Sequence, residues 1–170
     1  MNQFGVLNNK KTELLKEISN YISEVDRERV FSPEITRNIL HALQESSGVY
    51  DPYKTEKDES NREMLNRENE FRDQITNSKN PFNTALRLAV AGNIIDFGPT
   101  HQFDVSGTIQ RVMESDFAFD NSEKLKLEIE KAKSILYLGD NCGEVVLDKL
   151  FLETINHPNV YCAVRERPVL

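Results

Sequence analysis

Ile135-Leu136-Tyr137-Leu138-Gly139-Asp140-Asn141-Cys142-Gly143-Glu144 is a short apolar run closed by a glycine and followed by a polar loop. Val146, Leu147, Leu150, Phe151 and Ile155 then recur at helical spacing, residues 156–159 read as a turn, and Val160-Tyr161-Cys162-Ala163-Val164 is a second apolar run. Short apolar runs bounded by turn signals are strands, and the spaced recurrence between them is one face of a helix. Strand, helix and strand in such close succession make a βαβ unit over residues 135–164, and the crossover makes its two strands parallel neighbours. The fold class expected is α/β.

Upstream, the chain reads as helix after helix. From 122 to 133 Leu125, Leu127 and Ile129 alternate like a strand, but Leu125, Ile129 and Ala132 fit a helix, and the Glu and Lys content favours the helix. Asn80-Pro81 caps another, in which Ala85, Leu86, Leu88, Ala89, Val90 and Ala91 are apolar on nearly every side, so it belongs inside the helical layer. Residues 54–79 are dominated by charge, with Glu63/Arg67 and Glu68/Arg72 at the spacing that supports an exposed helix, and Met64, Leu65, Phe71 and Ile75 tie them to a core. Ser32-Pro33-Glu34 starts a helix with the stripe Ile35, Ile39, Leu40 and Leu43, ended by Gly48; Leu14, Leu15, Ile18, Ile22 and Val25 mark the first one. The division expected is a helical region over 1–130 and the start of an α/β domain over 131–170.

Composition narrows the function. The chain has 170 residues, enough to hold a core without a disulfide or a structural metal. Its net charge is −7 and it has no run of five or six Lys and Arg, which argues against a nucleic-acid partner. No apolar stretch approaches a membrane span, and the polar start Met1-Asn2-Gln3 is unlike a signal peptide. Cys142 and Cys162 form neither CxxC nor zinc-site spacing, which fits reduced thiols. A cytoplasmic protein is expected.

In an open parallel sheet, ligands gather where strands end and helices begin. The loop Gly139 to Glu144 lies there. Asp140 and Asn141 offer hard oxygen donors suited to a divalent cation, and backbone N–H groups near Gly143 to Val145 suit an anion. The plainer alternative is that Asp140 or Asn141 only caps the helix. Cys142 as a thiolate nucleophile lacks the arginine-closed phosphate loop it would need, and it stands where a dehalogenase-type aspartyl nucleophile wants a second Asp. Asn93 and Asp96 share a face if the upstream helix continues through them; Asn93 as a simple helix stop after Gly92 is the alternative. Arg165 and Arg167 follow the second strand at the same sheet edge as Asp140, placed to neutralise a phosphate or to be surface arginines.

Three separated stretches carry a family resemblance: Asp51-Pro52-Tyr53-Lys54 with Lys57, Ala91-Gly92-Asn93-Ile94-Ile95-Asp96-Phe97-Gly98, and Leu136 to Glu144 with Asp148 beyond it. In this order they resemble the DUF89 damage-control phosphatase family, also called ARMT1-like, and most of all its microbial subfamily I. The resemblance implies a helical N-terminal layer packed on a Rossmann-like parallel sheet, and a metal-dependent phosphatase acting on small phosphorylated metabolites, sugar phosphates or damaged phosphometabolites. It implies Asp140 and Asn141 as catalytic metal ligands, with Asn93, Asp96 and Glu144 lining the same pocket; Arg165 is the phosphate-neutralising candidate. The cofactor implied is a divalent metal, Mg, Mn, Co or Ni, among which the sequence does not choose.

The sequence departs from that pattern in two places. Family members continue past the second strand with an Asn-Asp pair whose Asp is a third ligand, whereas this sequence ends at Arg167-Pro168-Val169-Leu170; an incomplete sheet and weakened metal binding are expected. The N-terminal CxxC common in the subfamily is missing. An unfinished sheet leaves strand edges open to self-association. Two other readings stand beside the phosphatase. The strand and glycine-containing loop at 135–144 faintly resemble a methyl-donor methyltransferase motif without its central glycine, and the charged 54–79 region suits a non-catalytic helical interaction module.

Overall fold

The computed structural model describes residues 8–26, 29–95 and 104–164. Among these, helices α1 (Asn8–Glu24), α2 (Ser32–Ser47), α3 (Lys54–Asn66), α4 (Glu68–Thr76), α5 (Pro81–Ile94), α6 (Val105–Glu114) and α7 (Ser122–Lys131) precede β1 (Ile135–Leu138), α8 (Glu144–Ile155) and β2 (Val160–Ala163). The two strands are parallel, with Ile135 opposite Val160 and Leu138 opposite Ala163. The α/β class and the βαβ unit stand as expected, and α7 is a helix.

The chain divides into two compact units, one up to Thr55 and one over Glu56–Val164. In the first, α1 packs on α2, and the Asn38 amide donates to the Tyr21 hydroxyl at 2.7 Å. Leu14 is buried, but no residue of α2 is, so the stripe Ile35, Ile39, Leu40 and Leu43 is only half-covered. The second unit holds the main core. The junction between helices and sheet that the sequence places near residue 130 falls inside it.

That core forms around α5. Asn80 caps it, its side-chain oxygen accepting from the Asn83 N–H at 3.1 Å, and Pro81 opens the first turn. The helix packs on α4, α6, α7 and above all α8. Met64, Phe71, Leu88, Leu147 and Leu150 are fully buried, each contributing roughly 1.5–3 kcal/mol by leaving water. The close contact of α5 with α8 depends on Gly92: a Cβ there would lie 3.2 Å from Leu147 Cδ1 and 3.4 Å from Glu144 Cα. Arg87 ties α5 to the end of α6, donating to the carbonyls of Val112 and Ser115 at 2.6 Å each.

The charged 54–79 stretch is two helices with a break at Arg67. Met64, Phe71 and Ile75 reach the core as expected, but Leu65 is 55% exposed. Ser60 and Met64 define the inward face of α3, and Leu65, one step around the helix, points outward. Arg67 makes its paired hydrogen bonds with Glu70, at 2.8 and 2.9 Å, in place of the expected Glu63. Glu68 and Arg72 do pair, at 2.7 Å, and extend across to α8 through Lys149 at 2.9 Å and Glu153 at 2.7 Å.

Candidate active site

The loop between β1 and α8 turns on Gly143, whose φ of 75° lies in the left-handed region that glycine adopts without steric cost. Gly143 itself occupies the cap position of α8. The Gly143 N–H donates to Oδ1 of Asn61, on α3, at 2.7 Å. This corrects the anion reading at that position, because the amide expected to receive a phosphate is already bonded to a side chain.

Glu144 is the centre of the arrangement. It is 6% exposed, yet both of its oxygens are satisfied: Oε1 accepts from Asn93 Nδ2 at 3.0 Å and Oε2 from Asn141 Nδ2 at 2.9 Å. A carboxylate accepts and cannot donate, so it fixes which end of each amide faces it. The NH2 ends of Asn93 and Asn141 are therefore the ends that face Glu144. Orientation of ligands by such buried partners is a general feature of metal sites. Glu144 thus joins Asn93 on α5 to Asn141 in the loop.

Asp140 and Asn141 are exposed and adjacent at the carboxyl end of β1, and the Asn141 amide lies 3.4 Å from Asp140 Oδ2. A carboxylate and an amide on adjacent residues offer hard oxygen donors, the ligand type of magnesium or manganese and not of a thiolate-held zinc. Among the described residues no group of three or more His, Cys, Asp and Glu side chains is placed to hold a metal ion. Such a cation characteristically takes one or two carboxylates and completes its shell with water and phosphate.

Below Glu144, one helical turn on, Asp148 is 3% exposed and accepts the Tyr137 hydroxyl at 2.7 Å. Burial, helped by the nearby Glu144 charge, pushes its carboxyl up to about 6 against the lowering effect of the tyrosine bond. Burial also raises the Tyr137 hydroxyl, reinforced by its bond to Asp148. An apolar cleft of about 470 Å³ between α5, α7, α8 and β1 shares Asn93, Tyr137 and Glu144 with this cluster.

The sequence matches the damage-control phosphatase ARMT1-like domain over residues 2–170. The chain belongs to that family. Among its relatives, an uncharacterized protein of Methanocaldococcus jannaschii is 27% identical over 168 residues, 92% of this chain and 54% of its own length. A damage-control phosphatase of Pyrococcus horikoshii is 32% identical over 93 residues, 52% of this chain and 32% of its own. One of Archaeoglobus fulgidus is 25% identical over 168 residues, 94% of this chain and 57% of its own. The crystal structure of a DUF89 family protein from Pyrococcus horikoshii superposes with a TM-score of 0.79 at 25% identity, covering 98% of this chain and 59% of that one. This ARMT1-like chain thus spans about half the length of the curated relatives it matches.

Of the residues expected at the site, Asn93, Asp140, Asn141 and Glu144 come together in this family member. Asp96 and Arg165 lie outside the described residues, and α5 ends at Ile94 with Ile95 already extended, so the helix that was to carry Asn93 and Asp96 on one face stops between them. Three polar residues escaped the sequence reading as site members: Asn61, Tyr137 and Asp148. Asn61 carries no local signal, since its partner is 82 residues away. Tyr137 and Asp148 do carry one, being polar groups set inside an apolar strand and an apolar helical stripe, where each needs a partner.

Proposed function

We propose that this chain carries the metal-binding part of a phosphomonoester hydrolase acting on small phosphorylated metabolites, sugar phosphates or damaged phosphometabolites. The observation that supports it best is the cluster at the end of β1, where buried Glu144 accepts from the side-chain amides of Asn93 and Asn141 and the exposed Asp140 carboxylate lies beside Asn141. Asp140 and Asn141 would hold magnesium, manganese, cobalt or nickel, with manganese the first to try. When bound, such a cation supplies neutralisation of phosphoryl charge and activation of water for in-line attack. Asn93, bonded to Glu144 beside the same loop, Asp96 and Arg165 are further pocket members, Arg165 to neutralise phosphate oxygens. Water attacks phosphorus, the ester P–O bond breaks, and the alcohol leaves with a proton. In the same reading the helical region to residue 130 supplies Asn61 and Asn93 to the α/β part, and the protein works in the cytoplasm.

The Damage-control phosphatase names of the relatives support the same chemistry. The methyltransferase alternative has less to rest on, because Gly143 is committed to the turn and its amide to Asn61, which leaves no open glycine cradle for a nucleoside. The test is phosphate release from a panel of sugar phosphates and p-nitrophenyl phosphate with each divalent metal in turn, beside Asp140→Ala. Metal-dependent release that is lost with Asp140 is the expected result. No release from either this chain or a longer chain containing it, both folded, overturns the reading.

A further inference from the structure

The Tyr137–Asp148 bond is out of keeping with its surroundings. Asp148 sits on α8 among Val146, Leu147, Leu150 and Phe151, all buried, and its Oδ2 is buried without a hydrogen-bond partner. A carboxylate in that position destabilises the fold relative to an apolar side chain of similar size, because one oxygen has lost water and gained nothing. What the bond supplies is direction. Apolar contacts tolerate small rotations of a helix against a strand, whereas a 2.7 Å hydrogen bond between buried groups sets one register. Its two ends lie on β1 and α8, eleven residues apart, and the segment between them is the loop that carries Asp140 and Asn141. Asn61 holds the same loop at Gly143, and Asn93 holds the first residue of α8.

We propose that Tyr137 and Asp148 are a positioning pair: their buried hydrogen bond braces the end of β1 against α8 and thereby holds Asp140 and Asn141 in the geometry the site needs. The role rests on reading that loop as the functional site, but the brace itself is testable without activity. The experiment compares Tyr137→Phe, Asp148→Asn and the apolar double variant Tyr137→Phe/Asp148→Leu with the parent chain, by thermal melting, amide hydrogen exchange over residues 139–144, and titration with Mn²⁺ alone. The double variant is expected to melt no lower than the parent and yet to exchange its loop amides on the order of tenfold faster and bind Mn²⁺ 10–100-fold more weakly, the usual cost of losing a residue that orients metal ligands. Asp148→Asn retains an acceptor for the Tyr137 hydroxyl and is expected to stay within about threefold of the parent in loop exchange, on the scale of a hydrogen bond kept rather than lost. Loop exchange unchanged in both Tyr137→Phe and the double variant overturns the brace. Faster loop exchange in a chain whose parent form binds no Mn²⁺ upholds the brace and counts instead against the metal reading.

Discussion

Asp140 and Asp148, eight positions apart in sequence, are chemically opposite. Asp140 is exposed at the strand end, so its removal costs the fold little: Asp140→Ala is expected to shift stability by within about 0.5 kcal/mol while abolishing metal-dependent phosphate release. Matched melting curves with matched activity would exclude it from the site. Asp148 is buried, and its carboxyl is raised from 3.8 to about 6 chiefly by that burial. Below the ordinary carboxylate value both folded and unfolded chains carry its proton, and the folded state bears no penalty. As the pH rises through the window from 3.8 to about 6 the unfolded chain gives up the proton first, so stability falls, by about 3 kcal/mol at 1.4 kcal/mol per unit. Glu68 and Glu70, lowered by Lys149 and Arg67 respectively, act in the opposite sense. The difference between parent and Asp148→Asn in urea unfolding, followed from pH 4 to 7, isolates the Asp148 contribution; parallel curves would mean that its carboxyl titrates normally.

At the level of elements, the site depends on how closely α5 approaches α8. Gly92 lets the two helices meet beside Glu144 and Leu147. A branched side chain there must push α8 away, so Gly92→Val is expected to cost about 1–3 kcal/mol by overpacking and to loosen the Asn93–Glu144 bond with it. Leu147→Ala attacks the same contact from the other side and is expected to cost roughly 2–5 kcal/mol, since Leu147 has no exposed surface. Denaturant unfolding reads both, and a Gly92→Val protein as stable as its parent would show that the helices have slack the packing does not suggest. These elements were legible in the sequence because their signals are local: Asn80-Pro81 announces the start of α5, and the strand runs announce β1 and β2. Leu65 was misread for the complementary reason, since which side of α3 faces inward is decided by what packs on it.

Across the whole molecule, the small sheet has one covered face and one open one. Tyr137 packs against the core and Ile135 lines the apolar cleft, while Leu136 and Leu138 are 66% and 72% exposed and Tyr161, opposite Leu136, is 64% exposed. A contiguous exposed apolar sheet face among the described residues favours association with another surface. Leu136→Lys/Leu138→Lys is expected to reduce concentration-dependent self-association in sedimentation velocity, without affecting the Tyr137 side of the strand. A parent chain that remains monomeric across the accessible concentration range would remove this expectation. The relatives it matches are longer, with this chain spanning 54% and 57% of two of them.

The α/β class, the βαβ unit, the start of α5 and the position of the β1–α8 loop were legible in the sequence, because strand runs, helical periodicity and caps are properties of neighbouring residues; α6 and the break between α3 and α4 were not. Only the tertiary structure decided how that loop is held. Three of its ties, Asn61 to Gly143, Asn93 to Glu144 and Tyr137 to Asp148, join residues 82, 51 and 11 positions apart. The physical reason is that a buried polar group takes whichever partner packing brings within 3 Å, and sequence spacing carries no record of that choice across separate elements.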